Sequence, residues 1–181
     1  MNENEQKIMN LINEDEIVTF MQKLIRARSD YPPGNTHTVA QVCADKLREY
    51  DIETEIVTPP DSITNPKDDL PSSSFPSVIG TIKGGEGPTL LLNAHIDTVP
   101  AGDLSQWCCD PFAAEIIDGN VYGRGSGDDK GSVCAQIMAA TIIKRAGIPL
   151  KGTLQVNPVS DEEANSWRGA KWLRDAEILK P

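Results

Sequence analysis

The chain has 181 residues, of which 39% are apolar and 24% charged, with 14 Gly and 13 Pro. This is the composition of a soluble globular domain rather than of a disordered, collagen-like or coiled-coil chain. Its 17 basic and 27 acidic side chains leave a net charge of −10, which disfavours nucleic acid and anionic membranes as partners, because both need a basic face.

In chain order, the polar, acidic start (residues 1–6) does not suit a signal or transit peptide. Ile17, Met21, Leu24 and Ile25 fall on one face at helical spacing. Residues 29–34 break that helix with two prolines and a glycine. A second helix starts near Asn35 or Thr36 and lines up Val39, Cys43 and Leu47. Residues 54–58 read as a strand, and residues 59–76, rich in Pro, Ser and Asp, as a surface excursion. Strands follow at 77–83 and 89–93, separated by a glycine turn at 84–88; the three leucines of the second suggest burial on both faces.

Residues 113–117 and 121–122 flank Asp118-Gly119-Asn120, a hairpin signal. Residues 129–145 form a buried helix through Val133, Ile137, Ala140 and Thr141, stopped by Gly147 and Pro149. A strand at 152–156 and a helix at 167–176 complete the series. Strands alternating with helices predict an α/β domain with a mostly parallel sheet flanked by helices. No repeat and no low-complexity tract interrupts it, and no apolar run approaches the roughly 18 residues of a membrane helix. The four cysteines, Cys43, Cys108, Cys109 and Cys134, show no CxxC or zinc-finger spacing, which reads as reduced thiols in the cytoplasm.

With only His37 and His95 in the chain, any metal site must lean on carboxylates. Three places put such groups at strand ends, where open α/β sheets bind ligands. His95-Ile96-Asp97 follows the leucine strand; a ligating histidine donates its other ring N–H to a partner such as Asp97, and the bland alternative is a loop histidine beside a solvated aspartate. Gly123 to Gly131 precedes the long helix, but Asp128 and Asp129 would repel a phosphate, and the Gly-Lys-Ser/Thr ending of a P-loop is missing. A cation suits that turn better, although two helix-capping aspartates are the commoner situation. Asp161-Glu162-Glu163 follows the last strand; one glutamate can hold a metal while its neighbour acts as a general base, or the run is simply an acidic helix start. Together, one histidine and several carboxylates fit a two-metal hydrolytic centre, with zinc, cobalt or manganese as candidate ions.

His-x-Asp-Thr-Val-Pro at 95–100, Trp-Cys-Cys-Asp-Pro-Phe at 107–112, Tyr-Gly-Arg-Gly-Ser-Gly-Asp-Asp-Lys-Gly at 122–131 and Ser-Asp-Glu-Glu-Ala at 160–164 occur in that order. The set resembles the metallopeptidase family of acetylornithine deacetylase and succinyl-diaminopimelate desuccinylase, with carboxypeptidase G and aminoacylase as relatives; residues 29–35 resemble its N-terminal stretch. The resemblance implies a zinc-peptidase-like (phosphorylase/hydrolase-like) catalytic domain and hydrolysis of an amide bond in an N-acyl amino acid or small peptide. It implies His95 as ligand to one metal, Asp97 orienting His95, Asp128 bridging two ions, Glu163 holding the second, and Glu162 as general base. It also implies two divalent ions, zinc foremost, a cis peptide between Asp128 and Asp129, and the homodimers that full-length members often form.

The chain departs from the family at Ala164-Asn165-Ser166, where a glycine is usual, and at Pro158, expected at a strand end because it cannot donate to a ladder. Family members run to about twice this length, beyond the one-domain prior. They carry a lid or dimerisation domain, a further carboxylate ligand and a final histidine. Residues 1–181 are therefore expected to be the N-terminal part of an incomplete catalytic domain. Each ion would have two protein ligands from it, against the three of catalytic zinc sites, and turnover would be poor or nil. His37, in the first turn of the second helix, does not replace the final histidine. The alternatives are a non-catalytic module that needs a second chain and an aminopeptidase-like relative. The substrate side is open: Arg124 is either a carboxylate clamp or a brace for the glycine turn.

Overall fold

The computed structural model describes residues 1–179. Eleven regular elements run α1 (Glu3–Met9), α2 (Glu14–Arg26), α3 (His37–Arg48), β1 (Glu53–Val57), β2 (Ser77–Ile82), β3 (Thr89–His95), β4 (Glu115–Ile117), β5 (Asn120–Tyr122), α4 (Lys130–Ala146), β6 (Thr153–Val159) and α5 (Ala170–Asp175). The polar start is helical: Asn2 caps α1 in a reciprocal capping box with Glu5. At the start of α3, the Thr36 hydroxyl donates to the Pro76 carbonyl while Asn35 Oδ1 accepts from the His37 amide. Gly147, in the left-handed region, ends α4.

The sheet order is β1-β2-β6-β3. The α/β class and the flanking helices hold, but the sheet is mixed rather than mostly parallel: β1–β2 and β2–β6 are antiparallel, and β3–β6 is parallel. The cause is the turn between β2 and β3. It does not fold them into a hairpin but crosses the entry to β6, with the Gly85 and Gly87 amides donating to the Leu150 and Lys151 carbonyls at 2.9 and 2.8 Å. Strand β6 then slides between its two predecessors. Pro158 sits near the end of β6, beyond the last antiparallel pair, Gly80 with Val156, and the Val78 carbonyl accepts from the Asn157 side-chain amide at 2.7 Å. The β4–β5 hairpin turns on Asp118 and Gly119, both at positive φ, as the Asp-Gly signal predicts.

Alternation along the strands builds two apolar layers. Val78, Leu154 and Val156 face α2, α3 and α4, where Leu24, Ile25, Val39, Cys43, Leu47, Val133 and Ile137 are buried. Ile79 and Val159 point the other way and meet Leu173 of α5 and Leu179. The leucine run of β3 is not buried on both faces, because β3 lies at the sheet edge; Leu90 is 60% exposed. No helix among the described residues is long and apolar enough to cross a membrane.

Candidate metal centre

Parallel pairing of β3 with β6 sets His95 opposite Val159, so the two strands end side by side. The chain leaving β3 stays aligned: the Ile96 amide donates to the Val159 carbonyl at 2.8 Å, and the Thr98 amide to the Ser29 carbonyl at 3.1 Å. His95 therefore stands beside the Glu162–Glu163 turn that follows β6. The loop 123–129 brings Asp128 to the same spot. Gly125, at φ +84, makes that approach possible, since a Cβ there would sit 2.6 Å from Thr98 Cγ2. The Asp128–Asp129 peptide is cis, as the resemblance implies, and Asp129 Oδ2 accepts from the His95 amide at 3.3 Å.

His95 is buried, with Nδ1 2.9 Å from the Asp97 carbonyl oxygen and Nε2 2.9 Å from Asp128 Oδ1. A carbonyl can only accept, so Nδ1 carries a proton and Nε2 faces the acidic cluster. Glu162 Oε2 lies 3.9 Å from Nε2. Donor atoms of His95, Glu162 and Glu163 all lie within 4.8 Å of one another. Two donors on one zinc, each at about 2.0–2.2 Å, stand about 3–3.5 Å apart, so small side-chain adjustments suffice for an ion.

The expectation that Asp97 orients His95 changes in detail. Its backbone carbonyl makes the short contact, while its carboxylate Oδ1 is 3.7 Å from Nδ1, too far for a hydrogen bond. The fully buried carboxylate serves the neighbouring strand end instead: Oδ2 accepts from the Glu163 amide at 3.0 Å, and Oδ1 has no hydrogen-bond partner among the described residues. Buried acceptors without donors imply an electrostatic demand for positive charge.

The histidine reports the same demand. Burial alone would lower its pKa, but the Asp97 and Asp128 carboxylates outweigh burial and push it up to about 10. Glu163 is raised by burial and by Asp97, Asp128 and Glu162, against the lowering pull of His95. The centre thus holds more negative charge than one imidazolium balances, and the donor set of one nitrogen and several carboxylate oxygens fits a divalent ion. His37 lies elsewhere, its Nε2 2.9 Å from the Ser73 carbonyl. The reading of the sequence missed Asp129 as a partner of the His95 backbone. Its only sequence signal is adjacency to Asp128.

Residues 91–180 match the family model Peptidase family M20/M25/M40. The chain belongs to this peptidase family. Aminoacylase-1 of Dictyostelium discoideum is 35% identical over 159 residues, which is 86% of this chain and 35% of that protein. Succinyl-diaminopimelate desuccinylase of Rhodospirillum centenum is 42% identical over 93 residues, 51% of this chain and 24% of the relative. Among solved structures, human carnosine dipeptidase 1 superposes with a TM-score of 0.75 at 22% identity, over 95% of this chain and 38% of its own. A dinuclear metal binding peptidase of the M20 family from Bacillus subtilis superposes with a TM-score of 0.59, also at 22% identity, over 93% of this chain and 41% of its own. The M20 chain described here thus spans about a quarter to a third of the length of the curated relatives that it matches.

Proposed function

We propose that this M20 chain provides the metal-binding part of a hydrolase that cleaves the amide bond of an N-acyl amino acid or small peptide. The observation that carries the reading is the convergence of His95, Asp128, Glu162 and Glu163 at the joined ends of β3 and β6. His95, Asp128 and Glu163 would hold two divalent ions, with Asp128 shared and zinc preferred over cobalt or manganese. Ions bound there would polarise the scissile carbonyl and make water acidic enough to attack it near neutral pH.

The rest is done by side chains. Glu162, half exposed beside His95, takes the proton of the attacking water and delivers it to the leaving amine. Asp97 holds its carbonyl on His95 Nδ1, which keeps Nε2 directed at the donors, and its carboxylate fixes the start of the Glu163 segment. One histidine and two carboxylates, one of them shared, give each of two ions fewer protein donors than the three usual at catalytic zinc. Uptake by residues 1–181 alone is therefore weak and turnover slow. That shortfall favours a second reading, a module completed by donors from further chain or from another polypeptide. The net charge of −10 supports a small-molecule substrate rather than nucleic acid or membrane; the proposed setting is the cytoplasm, with the homodimers that full-length members of the family often form.

The test is calorimetric titration of the chain with Zn2+ and Co2+, followed by assays on N-acetyl amino acids, N-succinyl-diaminopimelate and dipeptides. Saturable metal uptake that His95→Ala abolishes is the expected result. No uptake, or uptake unchanged in that variant, overturns the metal reading. Full, metal-dependent turnover by the chain alone overturns the shortfall.

A further inference from the structure

Arg168 is fully buried, and each of its side-chain N–H groups has an acceptor. Nε donates to Asp161 Oδ1 at 2.9 Å, and Nη2 to Asp161 Oδ1 at 2.6 Å and Asp68 Oδ2 at 2.9 Å. Nη1 donates to Asp68 Oδ1 at 2.8 Å and the Leu70 carbonyl at 3.4 Å. The guanidinium carbon lies 3.8 Å from the centre of the Phe75 ring. Two carboxylates, one from the excursion 59–76 and one from the residue before Glu162, are thus clamped by a single planar fork. Lysine, with three donors on a single nitrogen, cannot reproduce it.

The clamp acts on an unusual backbone. Asp161 has φ +67, and Asn165 and Ser166 also lie at positive φ, a region that residues with a Cβ adopt only when their surroundings enforce it. Asp161 is held at both ends: its Oδ2 accepts from the Arg168 amide at 2.8 Å and its carbonyl from the Ser166 amide at 2.6 Å. From the excursion, Asn65 Nδ2 donates to the Ala164 carbonyl at 2.9 Å, and the Tyr31 hydroxyl donates to Asp68 Oδ2 at 2.6 Å. Glu162 and Glu163 therefore leave β6 between two fixed points, Asp97 on one side and the Arg168 clamp on the other.

We propose that Arg168 is the positioning residue of the Glu162–Glu163 turn, and that residues 59–76, through Asp68, are part of the scaffold of the metal centre rather than a surface ornament. The proposal deepens the metal reading above and rests on it only for its effect on metal affinity.

The test uses the whole chain with Arg168→Lys and, as a milder change at the partly exposed end of the clamp, Asp68→Asn. In metal-free protein, amide hydrogen exchange at Glu163 and Ser166 is expected to accelerate at least about tenfold in Arg168→Lys, and less in Asp68→Asn, while Leu154 and Val156 of β6 keep wild-type protection. Unchanged exchange at Glu163 and Ser166 overturns the proposal, as does acceleration spread evenly over β6, the mark of a merely structural role. In the variant whose β6 stays protected, Zn2+ affinity is expected to fall at least about tenfold; wild-type affinity there overturns the link to the metal centre. Should the wild-type chain take up no Zn2+, the metal reading fails, and the exchange data alone decide the positioning role.

Discussion

The Glu163 amide donates to Asp97 Oδ2 across 3.0 Å, joining the end of β6 to the end of β3 through one fully buried carboxylate. Asp97→Ala leaves that N–H without its acceptor and removes the charge that favours a cation. The expected loss is about 1–3 kcal/mol of stability by urea denaturation and about 10–100-fold in Zn2+ affinity by titration. A variant as stable and as metal-competent as the wild type would show that the bond is incidental.

Glu162 and His95 share one cluster but are assigned different work, and two substitutions separate them. His95→Ala is expected to abolish Zn2+ uptake. Glu162→Gln keeps an oxygen donor and loses the base, so metal affinity stays close to wild type while amide hydrolysis, measured where turnover is detectable, falls about 100-fold or more. If Glu162→Gln instead loses the metal, Glu162 is a ligand, as its place in the same group of donors allows.

Far from the centre, Glu16 ties α2 to α3 and α4. Its Oε1 accepts from Lys46 Nζ and the Tyr50 hydroxyl, both at 2.5 Å, and its Oε2 from Arg145 Nη1 at 3.0 Å. Burial alone would raise its pKa, but Lys46, Tyr50 and Arg145 outweigh burial and hold it below the ordinary glutamate range. A lowered folded pKa means that the stabilisation is complete above the unfolded value of about 4.3 and disappears as pH falls through the folded one. Glu16→Gln is therefore expected to cost about 1–3 kcal/mol at pH 7, with the gap from wild type closing in urea melts on acidification below about pH 4.

Gly125→Ala combines a positive φ with a Cβ placed 2.6 Å from Thr98 Cγ2. The expected result is a loss of more than about 1 kcal/mol in thermal or urea unfolding together with weakened Zn2+ uptake, because Thr98 follows Asp97 directly. Loss of stability with wild-type affinity would show that the loop 123–129 relaxes without moving the donors.

Much of the element order was legible because Pro and Gly punctuate it: Pro32, Pro33 and Gly34 end the α2 segment, and Gly147 and Pro149 end α4. The α1 helix was missed although the Asn2-x-x-Glu5 capping box is local and readable. The sheet order was not legible. Placing β6 between β2 and β3 depends on pairing across some 60 positions, and no local pattern encodes that. In the centre, residue type and spacing offered His95 with the carboxylates at 128–129 and 161–163, and the family resemblance singled out Asp128, Glu162 and Glu163 among them. Which atom of Asp97 meets the ring could not be named, because carbonyl and carboxylate differ only in the bend of the chain. Arg168 carried no signal of its own, one arginine among many until folding buries it between two aspartates.

The sheet order also has a consequence in time. β2 and β3 pair with β6 and not with each other, and Asn93 reaches Asn157 across 64 positions of sequence. During synthesis both strands must wait for residues 153–159 before the sheet can close, a late, long-range step that leaves strand edges without partners meanwhile. His95 meets the Glu162–Glu163 turn in that same event. The acidic centre and the sheet that carries it are completed together, so the full donor set exists only once β6 is in place.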